Sequence, residues 1–133
     1  MILLDTHALI WLSEGSSRLG PGARRLLDDA LAANALAVSA ISFWEVAMLR
    51  CKGRIGLNQP VGSWRTGLLE MGLTEIALDG EIAIAAAELS DLHSDPADRI
   101  IVATASRAAA TLVSADGRIL EWPGALRVHD ARV

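Results

Sequence analysis

The chain has 133 residues, 52% of them hydrophobic, with a mean hydropathy of +0.36, a net charge of −4 and Lys52 as its only lysine. A chain of this length forms one domain by default, and no apolar run approaches the ~18 residues of a membrane span. The acidic balance argues against nonspecific nucleic-acid binding, which depends on phosphate neutralisation by Lys and Arg, while the lone Cys51 excludes an intramolecular disulfide and a cysteine-based zinc cluster.

In chain order, residues 1–4 predict a short buried strand; they lack a basic leader and run into Asp5, so a signal peptide is not expected and the cytoplasm is the expected compartment. Apolar positions at helical spacing follow at 8–12 and 21–33, then a strand at 35–39 and a helix at 42–51. Residues 53–60 are the one stretch loose enough for an extended loop. Beyond it come a helix at 61–71, a strand at 75–78, helices at 81–89 and 96–110, a strand at 111–114 and an edge strand at 126–129. Strands alternating with helices imply crossover connections. The predicted class is α/β: a single domain over residues 1–133, with a central, mostly parallel sheet of four to five strands and helices on both faces.

Four acids, Asp5, Glu45, Asp98 and Asp116, stand where an apolar segment ends or a helix begins. Each has a structural role open to it. Ser42-x-x-Glu45 matches a capping box, in which Glu45 returns a hydrogen bond to the Ser42 backbone. Asp95-Pro96-Ala97-Asp98 places Asp95 at an N-cap, Pro96 at the first helical position and Asp98 in the first turn. Asp5 can cap the helix after it, and Asp116-Gly117 can be a turn.

Jointly they point elsewhere, because ligands of open α/β sheets bind beyond the carboxyl ends of the strands, and Asp5 and Asp116 fall at two such ends. Two carboxylates ~5 Å apart repel by roughly 3 kcal/mol at an effective dielectric of 20. A divalent cation turns that penalty into attraction. Four acids meeting at one rim make a hard-oxygen pocket suited to Mg²⁺ or Mn²⁺ and to phosphodiester chemistry.

The Leu4-Asp5-Thr6-His7 start, the Ser42-x-x-Glu45 helix start, the His93-x-Asp95-Pro96-x-Asp98-Arg99 segment and the late Leu112-Val113-Ser114-Ala115-Asp116 together resemble a PIN-domain ribonuclease, of the VapC type found as toxins in type II toxin–antitoxin pairs. The resemblance covers nearly the whole chain, with the motifs in order. It implies that Asp5, Glu45, Asp98 and Asp116 form a catalytic acidic tetrad holding Mg²⁺ or Mn²⁺, with Thr6 in support. Asp5, Asp98 and Asp116 are then the expected metal ligands, and Glu45 holds or polarises a water. It implies an RNA substrate and silencing by a VapB-type antitoxin. That partner covers apolar helical surface, offers a basic side chain to the acidic pocket and brings the DNA binding this acidic chain lacks. Two departures, Ala97 where Phe is frequent and Ser114 where Thr is common, touch local packing and leave the metal site intact.

Arg99 either aims at an RNA phosphate or pairs with a nearby acid to orient its helix, and the second is favoured. His93 reaches the site from the loop before Asp95, or is a surface histidine; His7 and His129 are expected to be structural. For Trp11 and Trp44, core or partner-interface packing is expected over base stacking. The Ala-rich residues 83–87 and 108–110 are compatible with a homodimer seam.

Receivers and haloacid-dehalogenase phosphatases also gather acids at strand ends, but both need a lysine late in the sheet, and the phosphatase needs a second aspartate where His7 stands. The remaining alternatives are a metal-free histidine ribonuclease, a non-catalytic interaction module whose acids only cap helices, and an RNA-processing PIN nuclease outside a toxin–antitoxin pair.

Overall fold

The computed structural model describes all of residues 1–133. Its elements run β1 (Ile2–Leu4), α1 (Thr6–Glu14), α2 (Pro21–Ala32), β2 (Leu36–Ser39), α3 (Ala40–Cys51), α4 (Val61–Glu70), β3 (Thr74–Ile76), α5 (Gly80–Glu88), α6 (Pro96–Arg107), β4 (Thr111–Ser114), α7 (Gly117–Leu120) and β5 (Val128–Asp130). The five strands form one sheet in the order β3-β2-β1-β4-β5. Every pairing is parallel, with Ile2 opposite both Leu36 and Thr111. The expected α/β class holds, and the sheet is wholly parallel.

The central strands are apolar on both faces because both faces are covered. Leu4, Leu36, Val38 and Val113 point into a core with α1 to α4, where Leu9, Leu27, Val46 and Trp64 meet them. The alternate residues Leu3, Ala37 and Leu112 point the other way, onto Ile101, Val102 and Ala105 of α6. α5 lies outside α6, through Ile82 and Ala86 against Ala103. Burying each such Leu or Ile contributes about 1.5–3 kcal/mol. No helix is long and apolar enough to cross a membrane.

This winding positions the site. The chain steps from β1 to β2 to β3 in one direction, then crosses back through α5 and α6 to β4 on the other side of β1. The carboxyl ends of β1 and β4 therefore flank the point where the strand order reverses, the crevice position of open α/β sheets.

Several boundaries differ from the sequence expectation. α1 begins at Thr6 because Asp5 caps it. α3 begins at Ala40, capped by Ser39 and not by Ser42. β3 ends at Ile76, and Leu78, two residues on, is 41% exposed and outside the sheet. The one-turn α7 had no counterpart in the sequence pattern, and β5 lies at Val128–Asp130.

Candidate metal centre

Asp5 follows the last residue of β1 and is almost fully buried. One carboxylate oxygen accepts from the Ala8 N–H at 2.8 Å, capping α1. The other accepts from the Ser114 hydroxyl at 2.6 Å and the Ala115 N–H at 2.9 Å. Ser114 ends β4, so Asp5 pins the two central strand ends together. Burial pushes its carboxyl pKa up, against the pull of the Ser114, Ala8 and Ala115 donors and of nearby His7.

Thr6 and Glu45 form the next part. The Thr6 hydroxyl donates to Glu45 Oε1 at 2.5 Å, and Ser42 Oγ lies 3.0 Å from the same Thr6 oxygen. Thr6 has one hydroxyl proton, so with that proton on Glu45 the Ser42 hydroxyl is the donor of the second bond. Glu45 therefore does not close a capping box on Ser42. The cap of α3 is Ser39, whose Oγ accepts from the Ile41 N–H. Burial raises the Glu45 pKa; Thr6 opposes it, while the charges of Asp98 and Asp95 add to it.

Asp98 and Asp116 come from helix starts. Asp95 caps α6, accepting from the N–H groups of Ala97 and Asp98, with Pro96 in the first turn. From that turn Asp98 Oδ2 reaches His93 Nε2 at 2.7 Å. Asp116 caps α7 by accepting from the Arg118 N–H, and the Arg118 guanidinium lies 3.0 Å from Asp116 and 3.7 Å from Asp98. One donor atom from each of His93, Asp98 and Asp116 lies within 4.8 Å of the others. Asp5 and Glu45 stand outside this trio.

The two carboxylates are pulled apart in proton affinity. Asp98 is pushed up to about 6, by burial first and then by the charges of Asp95 and Asp116, despite the hydrogen bond to His93. For Asp116 burial also works upward, but the Arg118 side chain and backbone outweigh it and hold the carboxyl below its ordinary range. Arg118 drew no attention in the sequence, although it lies only two residues past Asp116. His7, expected to be structural, is exposed and close enough for its charge to act on both Asp5 and Glu45.

Arg99 follows neither expectation. It pairs with no acid; its N–H groups donate to the carbonyls of Ala86, Ala87, Leu89, Leu92 and His93. Trp11 is buried in the core, and Trp64 packs edge-on to Phe43. Trp122 donates to the Ser90 carbonyl, whereas Trp44 is 54% exposed and takes no part in the core.

The fold and this rim define an open parallel α/β domain with carboxylates and one imidazole converging at the strand-order reversal. Mostly oxygen donors, with Asp98 raised first by burial and then by the charges of Asp95 and Asp116, fit a hard divalent cation such as Mg²⁺ or Mn²⁺. Residues 2–124 match the PIN domain model. The chain is 39% identical over 118 residues to Ribonuclease VapC22 of Mycobacterium tuberculosis, covering 89% of this chain and 88% of that protein. Two solved structures share the fold. One is a toxin-antitoxin complex from Klebsiella pneumoniae, with a TM-score of 0.64 and 23% identity over 98% of each chain. The other is VapBC2 from Rickettsia felis bound to a DNA fragment from its promoter, with a TM-score of 0.67 and 19% identity over 97% of this chain and 98% of that one. The chain belongs to the PIN-domain family and, within it, to the VapC type.

Proposed function

We propose that this protein is a divalent-metal-dependent endoribonuclease and the toxin of a toxin–antitoxin pair. The observation that carries the reading is the convergence of Asp98 and Asp116 at the sheet's carboxyl edge. The ribonuclease name of the 39%-identical relative supports RNA as the substrate class.

Asp98 and Asp116 hold the Mg²⁺ or Mn²⁺ ion, and Asp5 offers the lone pairs that its three donors leave free. When bound, the ion supplies hydroxide near neutral pH, polarises the phosphoryl oxygen and offsets charge on the leaving oxygen. Glu45, held at Oε1 by Thr6, has Oε2 free to orient the attacking water and take its proton. Its raised pKa suits a proton acceptor better than an ordinary glutamate would. Ser114 and Thr6 are supporting residues.

The partner is a VapB-type antitoxin that inserts a basic side chain among the acids and carries the DNA binding of the complex, with the cytoplasm as the place of action. The Klebsiella and Rickettsia complexes support a partner of this kind.

A labelled-RNA cleavage assay tests the reading. Cleavage is expected with Mn²⁺ or Mg²⁺, none in chelator, and loss in Asp98→Asn and Asp5→Asn. Cleavage that persists in chelator, or unchanged activity in both variants, sinks it.

A further inference from the structure

We infer that His93 is a positioning residue that aims the Asp98 carboxylate, and that Arg99 in turn aims His93. The inference rests on the metal-dependent reading above and deepens it, by assigning what sets the geometry of the ligand on α6.

His93 lies in the stretch between α5 and α6, where no repeating backbone pattern holds the chain. Arg99 holds it instead. Its Nη1 donates to the carbonyls of Leu92 at 2.8 Å and of His93 at 3.2 Å. Its Nε and Nη2 donate to Ala86, Ala87 and Leu89, around the open carbonyl end of α5. Five N–H groups are the whole donor capacity of a guanidinium, so none is left for an RNA phosphate. Because Arg99 is the residue after Asp98, the His93 backbone is tied to the same turn of α6 that presents Asp98. The imidazole then closes the loop from the other side, at 2.7 Å from Asp98 Oδ2.

The position of the imidazole proton follows from burial. His93 Nδ1 is buried and has no hydrogen-bond partner in the protein. A proton there is an unsatisfied buried donor, costing about 1–3 kcal/mol. With the Asp98 carboxylate as acceptor, the imidazole proton therefore lies on Nε2, which donates it to Asp98 Oδ2. That bond fixes the plane of the carboxylate before any cation arrives, which is the role of an outer-shell partner to a metal ligand. Imidazole as a ligand through Nε2 is the competing arrangement, because one ring nitrogen of His93 lies within 4.8 Å of a donor atom of Asp116. It requires the Nδ1 proton that the structure leaves without an acceptor.

The experiment is Mn²⁺ binding to the full chain, followed by the Mn²⁺ spin-resonance signal, together with the melting temperature of each variant. His93→Ala is expected to lose Mn²⁺ affinity by about 10- to 100-fold, as outer-shell changes do. His93→Gln, which keeps an N–H donor near Oδ2, is expected to recover most of the loss, and both are expected to melt close to the parent. Arg99→Lys, with the charge kept and the fork removed, is expected to match His93→Ala in affinity. Parent-like binding by His93→Ala, or failure of His93→Gln to recover binding, overturns the inference. So does a ¹⁴N coupling in the pulsed spectrum of the parent's Mn²⁺ complex, which identifies His93 as a ligand. If the parent itself binds no Mn²⁺, this inference and the metal-dependent reading fall together; if the parent binds Mn²⁺ and cuts RNA while His93→Ala binds equally well, only this inference falls.

Discussion

The guanidinium of Arg118 stands 3.0 Å from the carboxylate of Asp116, a residue that also caps the helix turn on which Arg118 sits. The same group lies 3.7 Å from Asp98, so one exposed arginine screens both acids where a cation is to bind. On the proposed function, arginine and metal compete for the same charge. Arg118→Gln is therefore expected to bind Mn²⁺ more tightly, by no more than about fivefold, the range of an exposed ion pair. Calorimetric titration of the two proteins checks this, and weaker binding in the variant means that Arg118 supports the site and does not compete with the ion.

Asp98→Asn separates stability from function. Burial and two neighbouring acids make the charged form of Asp98 unfavourable, so the neutral amide relieves the metal-free protein while removing a proposed ligand. At neutral pH the variant is expected to melt above the parent without metal, and to lose the upward shift that Mn²⁺ confers on the parent. RNA cleavage is expected to fall by at least the roughly 10- to 100-fold that disturbing a metal's outer shell costs. A variant that melts lower without metal means that burial and the neighbouring acids do not penalise the charged Asp98.

The pH dependence follows from the same group. Asp98 has a folded-state pKa of about 6 against an ordinary 3.8, so between those values the folded protein binds more protons than the unfolded chain. Its contribution to the stability of the metal-free protein therefore rises as pH falls through that window. The raised Asp5 and Glu45 act in the same direction. Asp116 and Glu75, both lowered, act oppositely, and their contribution is lost only at pH below their ordinary carboxylate values. With Asp98 as the proposed metal ligand, protons and metal compete for it, so the Mn²⁺-induced rise in melting temperature is expected to shrink as pH drops below about 6. Melting curves over that range, with and without Mn²⁺, read both effects; a metal shift that stays constant through the window excludes Asp98 as a ligand.

The middle of the sheet was legible because β1, β2 and β4 are buried on both faces and so read as short continuous apolar runs. Asp5 and Asp116 were legible for the same reason, as the first acids after such runs. β3 and β5 are three-residue edge strands, half-exposed, and their pattern is too weak to fix their ends. The Ser42-x-x-Glu45 pattern misled because a capping box is a local signal, whereas Glu45 and Ser42 are claimed by Thr6, at least 36 residues away in sequence. Arg99 escaped both expectations since its partners are carbonyls of a non-repetitive segment, which no spacing rule marks. Arg118 sits on a single helical turn, too short for periodicity to show.

Thr6 is where the two halves of the acidic rim meet, because it follows Asp5 in the chain and holds Glu45 through its hydroxyl. Thr6→Val keeps the shape and removes the donor. In a site this buried the change leaves Glu45 Oε1 and the Ser42 hydroxyl without their partner, at a cost of about 1–3 kcal/mol of stability, to be read by urea unfolding. Glu45 is then free to turn away from the water it is to orient, so cleavage is expected to fall further than stability alone accounts for. Thr6→Ser gives up one methyl, about 1 kcal/mol, but retains the hydroxyl, and is expected to cut RNA nearly as the parent does. Comparing the two at equal folded fraction isolates the hydroxyl. Equal cleavage by Thr6→Val and Thr6→Ser assigns Thr6 to packing and leaves the orientation of Glu45 to other contacts.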